Sequence, residues 1–292
     1  MTCPYKMDLH IHTTTSDGTD TPAEIMTKVK AEGIALFSVT DHDAVSGCAE
    51  IRSLLRADDP SFILGVEFSC EDEEGKYHIL GYGYDPSAAS VRDLVATARA
   101  YRLDRMRQRV DHLEKKYGFA LSWAEWEELF SVKTPGKPHL ADLMLRRGFV
   151  SSREEAFERY LNTFEGKEEH VRPEDAIRAL TEGGGIPILA HPSFGDGKER
   201  IVGAEMERRL MRLMTFGLHG IEAFYSGFSE ELQRELLSFA DRHHLYVTAG
   251  SDYHGDHKTV PLGYTHLDAY AGYPEGLRRF LQDVKMCKVS AR

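Results

Sequence analysis

The chain lacks the features that mark several classes of protein. Its 292 residues contain four cysteines, Cys3, Cys48, Cys70 and Cys287, and they lie too far apart for a paired metal motif or an expected disulfide framework. No apolar run approaches the roughly 20 residues needed to span a bilayer. The N-terminal segment MTCPYK has no apolar stretch typical of a signal peptide. We therefore expect a cytoplasmic protein with reduced thiols and no membrane partner.

Net positive charge is also missing. The 47 acidic and 36 basic residues give a formal charge of −11, which argues against a general nucleic-acid coat or an anionic-membrane binder. Internal repeats and low-complexity stretches are absent as well. The 41% of hydrophobic residues are enough for a sizeable core. The composition indicates a globular protein with no obligate protein partner evident.

The hydrophobic pattern predicts repeated helix and strand units. A helix should begin after Thr21, with Pro22 in its first turn and Glu24 completing a capping box, and should end at Gly33. The apolar run IALFSV that follows suits a buried strand. The same order recurs before IPILAHP, HGIEAFY and LYVTAGSDYHG. We predict an α/β fold with a parallel sheet that is closed or nearly closed into a barrel.

The middle of the chain has a different pattern. Residues 87–168 are strongly charged and helical in pattern, so we predict a helical insertion that caps a barrel built from residues 1–86 and 169–292. Its stretch RLDRMRQRV is interpreted as a solvated helix face. Trp123 and Trp126, at their spacing in an amphipathic helix, are interpreted as structural.

Histidines and carboxylates gather where the predicted strands end. The ends of barrel strands are where the active sites of such folds are built. Buried imidazoles and carboxylates that converge without a cation would carry a heavy desolvation cost, which a metal removes. With no thiolate in the set, the donors suit Zn, Mn, Fe or a similar ion. The candidate residues are His10, His12, His42, Glu67, His78, His191, Asp252 and His254, and Asp17 joins them from the SDG turn.

Six short motifs together resemble a known family. HIH, SDG, TDHD, the lone Glu67, AHP and SDYH occur in the order found in the PHP family, named for polymerase and histidinol phosphatase. The resemblance covers about residues 7–84 and 171–292. It implies a distorted (β/α)7 barrel, the PHP fold, that binds two or three divalent ions, which would be Mn, Zn, Fe or Mg.

The resemblance also implies how the ligands are shared. His10, His12, Glu67 and Asp252 would hold one metal. Glu67 would bridge to a second metal held by His78 and His191. Asp17, His42 and His254 would hold a third.

The insertion is similar to that of a subgroup containing 3',5'-nucleotide bisphosphate phosphatases and a 5'-to-3' exonuclease of short RNA. The resemblance implies a small phosphorylated substrate, a nucleotide or else a short oligonucleotide. We expect basic residues near the insertion's glycine turns to bind a second phosphate. These candidates are Lys137, His139, Lys167, His170 and Arg172. Lys137 stands where the subgroup often has arginine, and His170 where it tends to have tyrosine.

The expected chemistry is metal-dependent hydrolysis of a phosphoester. A hydroxide shared by two metals would attack phosphorus while the cations stabilise the developing negative charge. Asp17 and His254 are candidates, by position, to protonate the leaving oxygen; a water is the alternative. The competing hypotheses are a 5'-to-3' exonuclease on short RNA or DNA, a histidinol phosphate phosphatase, a metal-dependent amidohydrolase and a non-catalytic metal-binding module.

Overall fold

The first predicted unit is present. The computed structural model describes residues 5–164, 166, 168–194, 200–270 and 272–287. Strand β1 (Met7–Ile11) is followed by helix α1 (Pro22–Ala31) and strand β2 (Leu36–Val39). Thr21 and Glu24 form the reciprocal capping box that the sequence predicts, with the Thr21 backbone N–H donating to the Glu24 carboxylate over 2.8 Å. Gly33 follows the helix with a left-handed φ of 64°.

A hairpin and a helical segment follow this unit. Helix α2 (Ser46–Leu54) leads to the long strands β3 (Ser61–Asp72) and β4 (Gly75–Tyr82). The helical segment then comprises α3 (Ala89–Tyr117), α4 (Trp123–Ser131), α5 (Lys137–Arg146) and α6 (Arg153–Ala156), which continues as a π-helical turn over Phe157–Leu161.

The helical segment has an apolar core of its own. Met106 and Val110 of α3 belong to one buried cluster with Leu140 and Met144 of α5. Trp126 packs against this cluster. Packing of this kind, more than helix propensity, stabilises helices of this length.

The second half of the sheet repeats the helix and strand order. Its elements are α7 (Pro173–Glu182), β5 (Ile186–Leu189), α8 (Gly203–Thr215), β6 (Gly220–Tyr225), α9 (Glu230–Arg242), β7 (Tyr246–Gly250) and α10 (Glu275–Asp283). The seven strands form one sheet in the order β1 to β7. Tyr253, just after β7, bridges to Ile11 at the end of β1. The sheet is therefore a nearly closed barrel, and the predicted fold class is confirmed.

The prediction of a wholly parallel sheet is wrong at β4. This strand runs antiparallel to both β3 and β5. Only Glu73 and Glu74 separate β3 from β4, and a link of two residues permits a hairpin but not a crossover to a parallel strand. As a result, His78 reaches the carboxyl edge of the barrel from the first half of its own strand.

The helices cover the sheet and share its largest core. Apolar side chains of the strands pack in one cluster with residues such as Ile177 of α7, Leu210 of α8, Leu236 of α9 and Phe280 of α10. In the part of the chain that the structure describes, no helix combines the length and apolarity needed to cross a membrane.

Candidate active site

The two histidines of the opening strand both turn into the barrel. His10 and His12 are fully buried, and they point the same way because alternate residues of a strand share a face. The Nε2 atoms of His10 and His12 lie 3.3 and 3.1 Å from Oε2 of Glu67. Strand β1 thus directs both imidazoles at one carboxylate.

Glu67 occupies the middle of a ring of imidazoles. It is 1% exposed, and both of its oxygens face histidines. Oε2 also lies 3.1 Å from Nδ1 of His42, while Oε1 lies 2.9 Å from Nδ1 of His78 and 3.3 Å from Nε2 of His191. One carboxylate therefore contacts five imidazoles from four separate segments, consistent with a bridging position.

Two further carboxylates complete the cluster. Oδ1 of Asp17 lies 3.5 Å from both Nδ1 of His12 and Nε2 of His254. Oδ1 of Asp252 lies 3.5 and 3.4 Å from Nε2 of His10 and His12. The structure therefore brings all nine of the predicted metal-site residues together at the carboxyl edge of the barrel.

The backbone is strained at this edge. Asp43, His191 and Asp252 have positive φ angles of 53°, 27° and 58°, a region that residues other than glycine rarely adopt. Each such residue costs on the order of 1–3 kcal/mol, and residues of this kind cluster at functional sites. The turns after β5 and β7 accept this strain at the residues whose side chains enter the cluster.

The cluster has the donors that a divalent metal needs. His10 Nε2, His12 Nε2, Asp17 Oδ1 and Glu67 Oε2 are buried and have no aligned hydrogen-bond partner among the described residues. Such orphaned atoms require an explanation, and a bound cation supplies one. Three compact groups could each hold an ion. They are His12, Asp17, His42 and His254; His10, His12 and Glu67; and His42, Glu67 and His78.

Protonation in the metal-free protein agrees with this fit. Burial alone would raise the pKa of Glu67, but the charges of His42 and His78 hold it well below its usual value. Burial opposes protonation of His12, whereas the nearby carboxylates of Asp252 and Glu67 raise the pKa of its imidazole to about 9. A proton thus compensates the carboxylates where a metal would otherwise do so.

Two carboxylates that the sequence analysis missed form hydrogen bonds with the cluster and the loop beside it. Glu222 accepts a hydrogen bond from Nδ1 of His10 at 3.0 Å and another from the backbone N–H of His191 at 2.9 Å. Asp41 accepts bonds from the backbone N–H of Thr13 and the hydroxyl of Ser16. A partner such as Glu222 fixes the tautomer and orientation of the His10 ring. The signal for Glu222 is a single charge inside the apolar strand HGIEAFY.

A cavity of about 600 Å³ opens over the cluster. Its wall beyond the histidines comes from α3, where Arg102, Arg105 and Arg109 line it at spacings of three and four. Arg102 and Arg105 are only 9% and 8% exposed. The interpretation of RLDRMRQRV as a solvated face is therefore wrong, because this spacing places the three guanidinium groups on one side of the helix, facing the cavity.

The predicted substrate-binding residues are divided by the structure. Lys137 and His170 line the cavity; burial, Arg105 and Lys76 lower the pKa of His170 to about 3, so its ring is neutral. His139 is not among the lining residues; its Nδ1 accepts the backbone N–H of Gly136. Arg172 instead pairs with Glu73 and Glu174 on the surface. Lys167 lies outside the described residues.

A barrel with this cluster at its carboxyl edge defines the class of metal-dependent hydrolases. The PHP domain family matches residues 8–169. The 3',5'-nucleoside bisphosphate phosphatase of Chromobacterium violaceum is 31% identical over 85% of this chain and 87% of its own. The 5'-3' exoribonuclease of Haemophilus influenzae is 29% identical over 90% of this chain and 93% of its own. The chain therefore belongs to the PHP domain family.

Solved structures agree with this assignment. A Bifidobacterium adolescentis protein described as a proposed metal-dependent phosphoesterase has 28% identity and a TM-score of 0.79, over 96% of each chain. A Chromobacterium violaceum protein described as an amidohydrolase with bound sulfate and no metal has 30% identity and a TM-score of 0.77, over 87% of this chain and 89% of its own. The predicted family, and with it an enzyme that hydrolyses phosphoester bonds, is confirmed.

Proposed function

We propose that the chain hydrolyses a phosphomonoester of a nucleotide 3',5'-bisphosphate. One phosphate would react at the histidine and carboxylate cluster, while α3 would bind the other. The first part of the proposal is supported by family membership and by the relative named a 3',5'-nucleoside bisphosphate phosphatase. The second is supported by the charges that line the cavity.

The environment of Arg105 gives the strongest support for the proposal. Arg102 is paired with Asp43 at 2.7 Å, and the Nε of Arg109 with Glu168 at 2.8 Å. Arg105 instead donates to the backbone carbonyl of Glu169 and has no carboxylate partner within the described ranges. Burial and Arg102 lower its pKa to about 10, so it remains charged at neutral pH. A buried guanidinium that lines the cavity and forms no ion pair with a described carboxylate is suited to a phosphate.

The nine clustered residues have distinct tasks in this proposal. His10, His12, Glu67 and Asp252 would hold one divalent ion, Glu67 would share a second with His78 and His191, and Asp17, His42 and His254 would hold a third. Such ions, when bound, lower the pKa of a water molecule and stabilise negative charge on the phosphoryl oxygens. Glu222 keeps Nε2 of His10 aimed at Glu67 by accepting a hydrogen bond from Nδ1.

The proton for the leaving oxygen is assigned to solvent water. His254 uses Nδ1 to donate to the backbone carbonyl of Asp252 at 2.8 Å, and burial lowers the pKa of its ring to about 3, so Nε2 carries a lone pair. Burial would raise the pKa of Asp17, but His42 and the protonated His12 hold it well below its usual value. Both residues are therefore better suited to bind a cation than to donate a proton.

Phosphate release tests the proposal directly. Adenosine 3',5'-bisphosphate is incubated with Mn²⁺ beside adenosine 5'-monophosphate and histidinol phosphate, with a chelator control. We expect chelator-sensitive release, with kcat/KM for the bisphosphate at least about tenfold above the others, since one charge-assisted contact is worth about 1.5–3 kcal/mol. Equal rates on the bisphosphate and monophosphate would remove the role of the second phosphate. No release from any of the three would overturn the proposal.

A second candidate is 5'-to-3' trimming of short oligonucleotides. It is favoured by the Haemophilus influenzae relative, which is named an exoribonuclease and matches 90% of this chain. The charge of −11 disfavours long nucleic acid. Turnover of a 5'-phosphorylated dinucleotide is compared with that of a much longer oligonucleotide, and faster turnover of the longer one would favour trimming.

A further inference from the structure

A chain of polar contacts connects the helical insertion to the loop that carries Asp17. His257 lies in a short 3-10 turn (Gly255–His257) after β7. Its Nδ1 is 2.6 Å from the backbone carbonyl oxygen of Asp17, and its Nε2 is 2.8 Å from Oδ2 of Asp142 on α5. The imidazole thus spans the space between the barrel and the insertion.

Both neighbours of His257 are hydrogen-bond acceptors. A backbone carbonyl and a carboxylate offer only lone pairs, so each ring nitrogen donates and the ring is held at both ends. The His257 side chain is 7% exposed. Asp142 is fixed in turn because its Oδ1 accepts from Nε of Arg153 at 2.5 Å, while Nη1 of Arg153 donates to the backbone carbonyl of Asp256. The four residues form a closed set of contacts across the two parts of the chain.

The insertion reaches the same loop at a second point. The hydroxyl of Thr134, which is fully buried, donates to the backbone carbonyl of Thr15 at 3.2 Å. Two backbone carbonyls of the loop after β1, those of Thr15 and Asp17, therefore accept hydrogen bonds from distant parts of the chain. These bonds fix the peptide units from which the Asp17 carboxylate extends toward His12 and His254.

We propose that Asp142 and His257 are positioning residues that orient Asp17 for a divalent cation. The inference rests on the proposed function, in which Asp17, His42 and His254 hold one ion. The insertion then has two tasks: α3 contributes arginines to the substrate cavity, and α5, through His257, holds a ligand of the cation site. Loss of the contact should weaken that one site and leave the sites around Glu67 intact.

Cation binding to the full chain tests this without any substrate. Mn²⁺ binding is measured by equilibrium dialysis with metal analysis for the wild type, Asp142→Ala and His257→Phe, and the melting temperature of each metal-free protein is recorded. Residues that orient metal ligands typically contribute about 10–100-fold to affinity. We therefore expect one class of sites to weaken at least about tenfold in both variants, with the remaining sites and the melting temperature unchanged.

Two further variants separate positioning from a general structural role. Asp142→Asn should restore most of the affinity, because an amide N–H can donate to a neutral His257 whose Nδ1 still donates to Asp17. Glu128→Ala removes a carboxylate that pairs with Arg146 on the exposed face of the same insertion and should change nothing. Unchanged Mn²⁺ binding in Asp142→Ala and His257→Phe, a uniform loss at all sites with a lowered melting temperature, or no metal binding by the wild type would overturn the inference. Wild-type protein that binds Mn²⁺ but releases no phosphate would contradict the proposed function alone.

Discussion

The two ends of the cavity are built in opposite ways. At the barrel end, imidazoles and carboxylates come from the ends of several strands and surround Glu67. At the other end, three guanidinium groups come from a single helix, α3, of the insertion. The first end collects lone pairs and negative charge that suit cations, whereas the second presents positive charge that suits an anion. In the proposed function, the barrel end would therefore carry the chemistry and the insertion would select the substrate.

The largest expected effect comes from a substitution at the barrel end of the cavity. Glu67→Gln should lower kcat/KM for every phosphorylated substrate by at least about 1,000-fold, because the neutral amide removes the charge that all five surrounding histidines face. Phosphate release with Mn²⁺ is the measurement, with circular dichroism to verify the fold. Glu205→Gln, an exposed carboxylate that pairs with Arg208 and Arg209, is the matched control. Retention of activity in Glu67→Gln would refute the assignment of this cluster as the reacting end.

The next largest effect is expected at the arginine end, where a substitution should weaken substrate binding and leave the rate of hydrolysis nearly unchanged. Arg105→Ala should raise KM for adenosine 3',5'-bisphosphate about 10–100-fold, the equivalent of one charge-assisted contact of about 1.5–3 kcal/mol. The kcat should stay within about threefold, since uniform binding alone is lost. Arg107→Ala, on the exposed side of the same helix, is the control. If hydrolysis of adenosine 5'-monophosphate fell as steeply as that of the bisphosphate, Arg105 would not be reading a second phosphate.

The barrel end could be predicted from sequence because residue type and position coincide there. A histidine or carboxylate next to an apolar strand is unusual by itself, and the carboxyl ends of barrel strands meet in space. His10, His42 and Asp252 could therefore be assigned to one place without coordinates. Glu222 could not, since its role depends on which face of β6 reaches His10.

The arginine end could not be predicted because its signal lies in three dimensions. Arginines at positions 102, 105 and 109 of a charged helix look like any solvated face, and only the packing of α3 over the barrel buries them. The antiparallel direction of β4 was missed for a related reason. The pair Glu73 and Glu74 is a short link, but it carries none of the glycine or asparagine turn residues that announce a hairpin.

The pH dependence of metal binding sharpens the comparison at the barrel end. In the metal-free protein the pKa of His12 is raised to about 9, so its proton must leave when a cation binds. Affinity for Mn²⁺ should therefore rise as pH increases toward 9, by about tenfold per unit for each proton displaced. Isothermal titration calorimetry at pH 6.5, 7.5 and 8.5, in buffers of different ionisation enthalpy, measures both affinity and proton release. An affinity that is independent of pH, with no proton released, would show that cation binding does not displace a proton from His12.

The smallest expected effect concerns Lys137, which the sequence analysis named as a phosphate-binding candidate when it did not name the arginines of α3. Lys137 lines the cavity but is partly exposed, and its Nζ donates to Oδ1 of Asn162 at 2.8 Å. A solvated charge of this kind contributes about 0–1 kcal/mol, so Lys137→Ala should raise KM for the bisphosphate by no more than about threefold.

Ionic strength further distinguishes the contribution of Lys137 from that of Arg105. The contribution of Lys137 should vanish as salt rises from 0.05 to 0.5 M, because the screening length then falls from about 14 to about 4 Å. The contribution of Arg105 should persist, since burial shields it from counterions. KM for wild type, Lys137→Ala and Arg105→Ala is measured across that range. If Lys137→Ala raised KM at high salt as much as Arg105→Ala does, the rim of the cavity, and not the buried helix face, would be the part that selects the substrate.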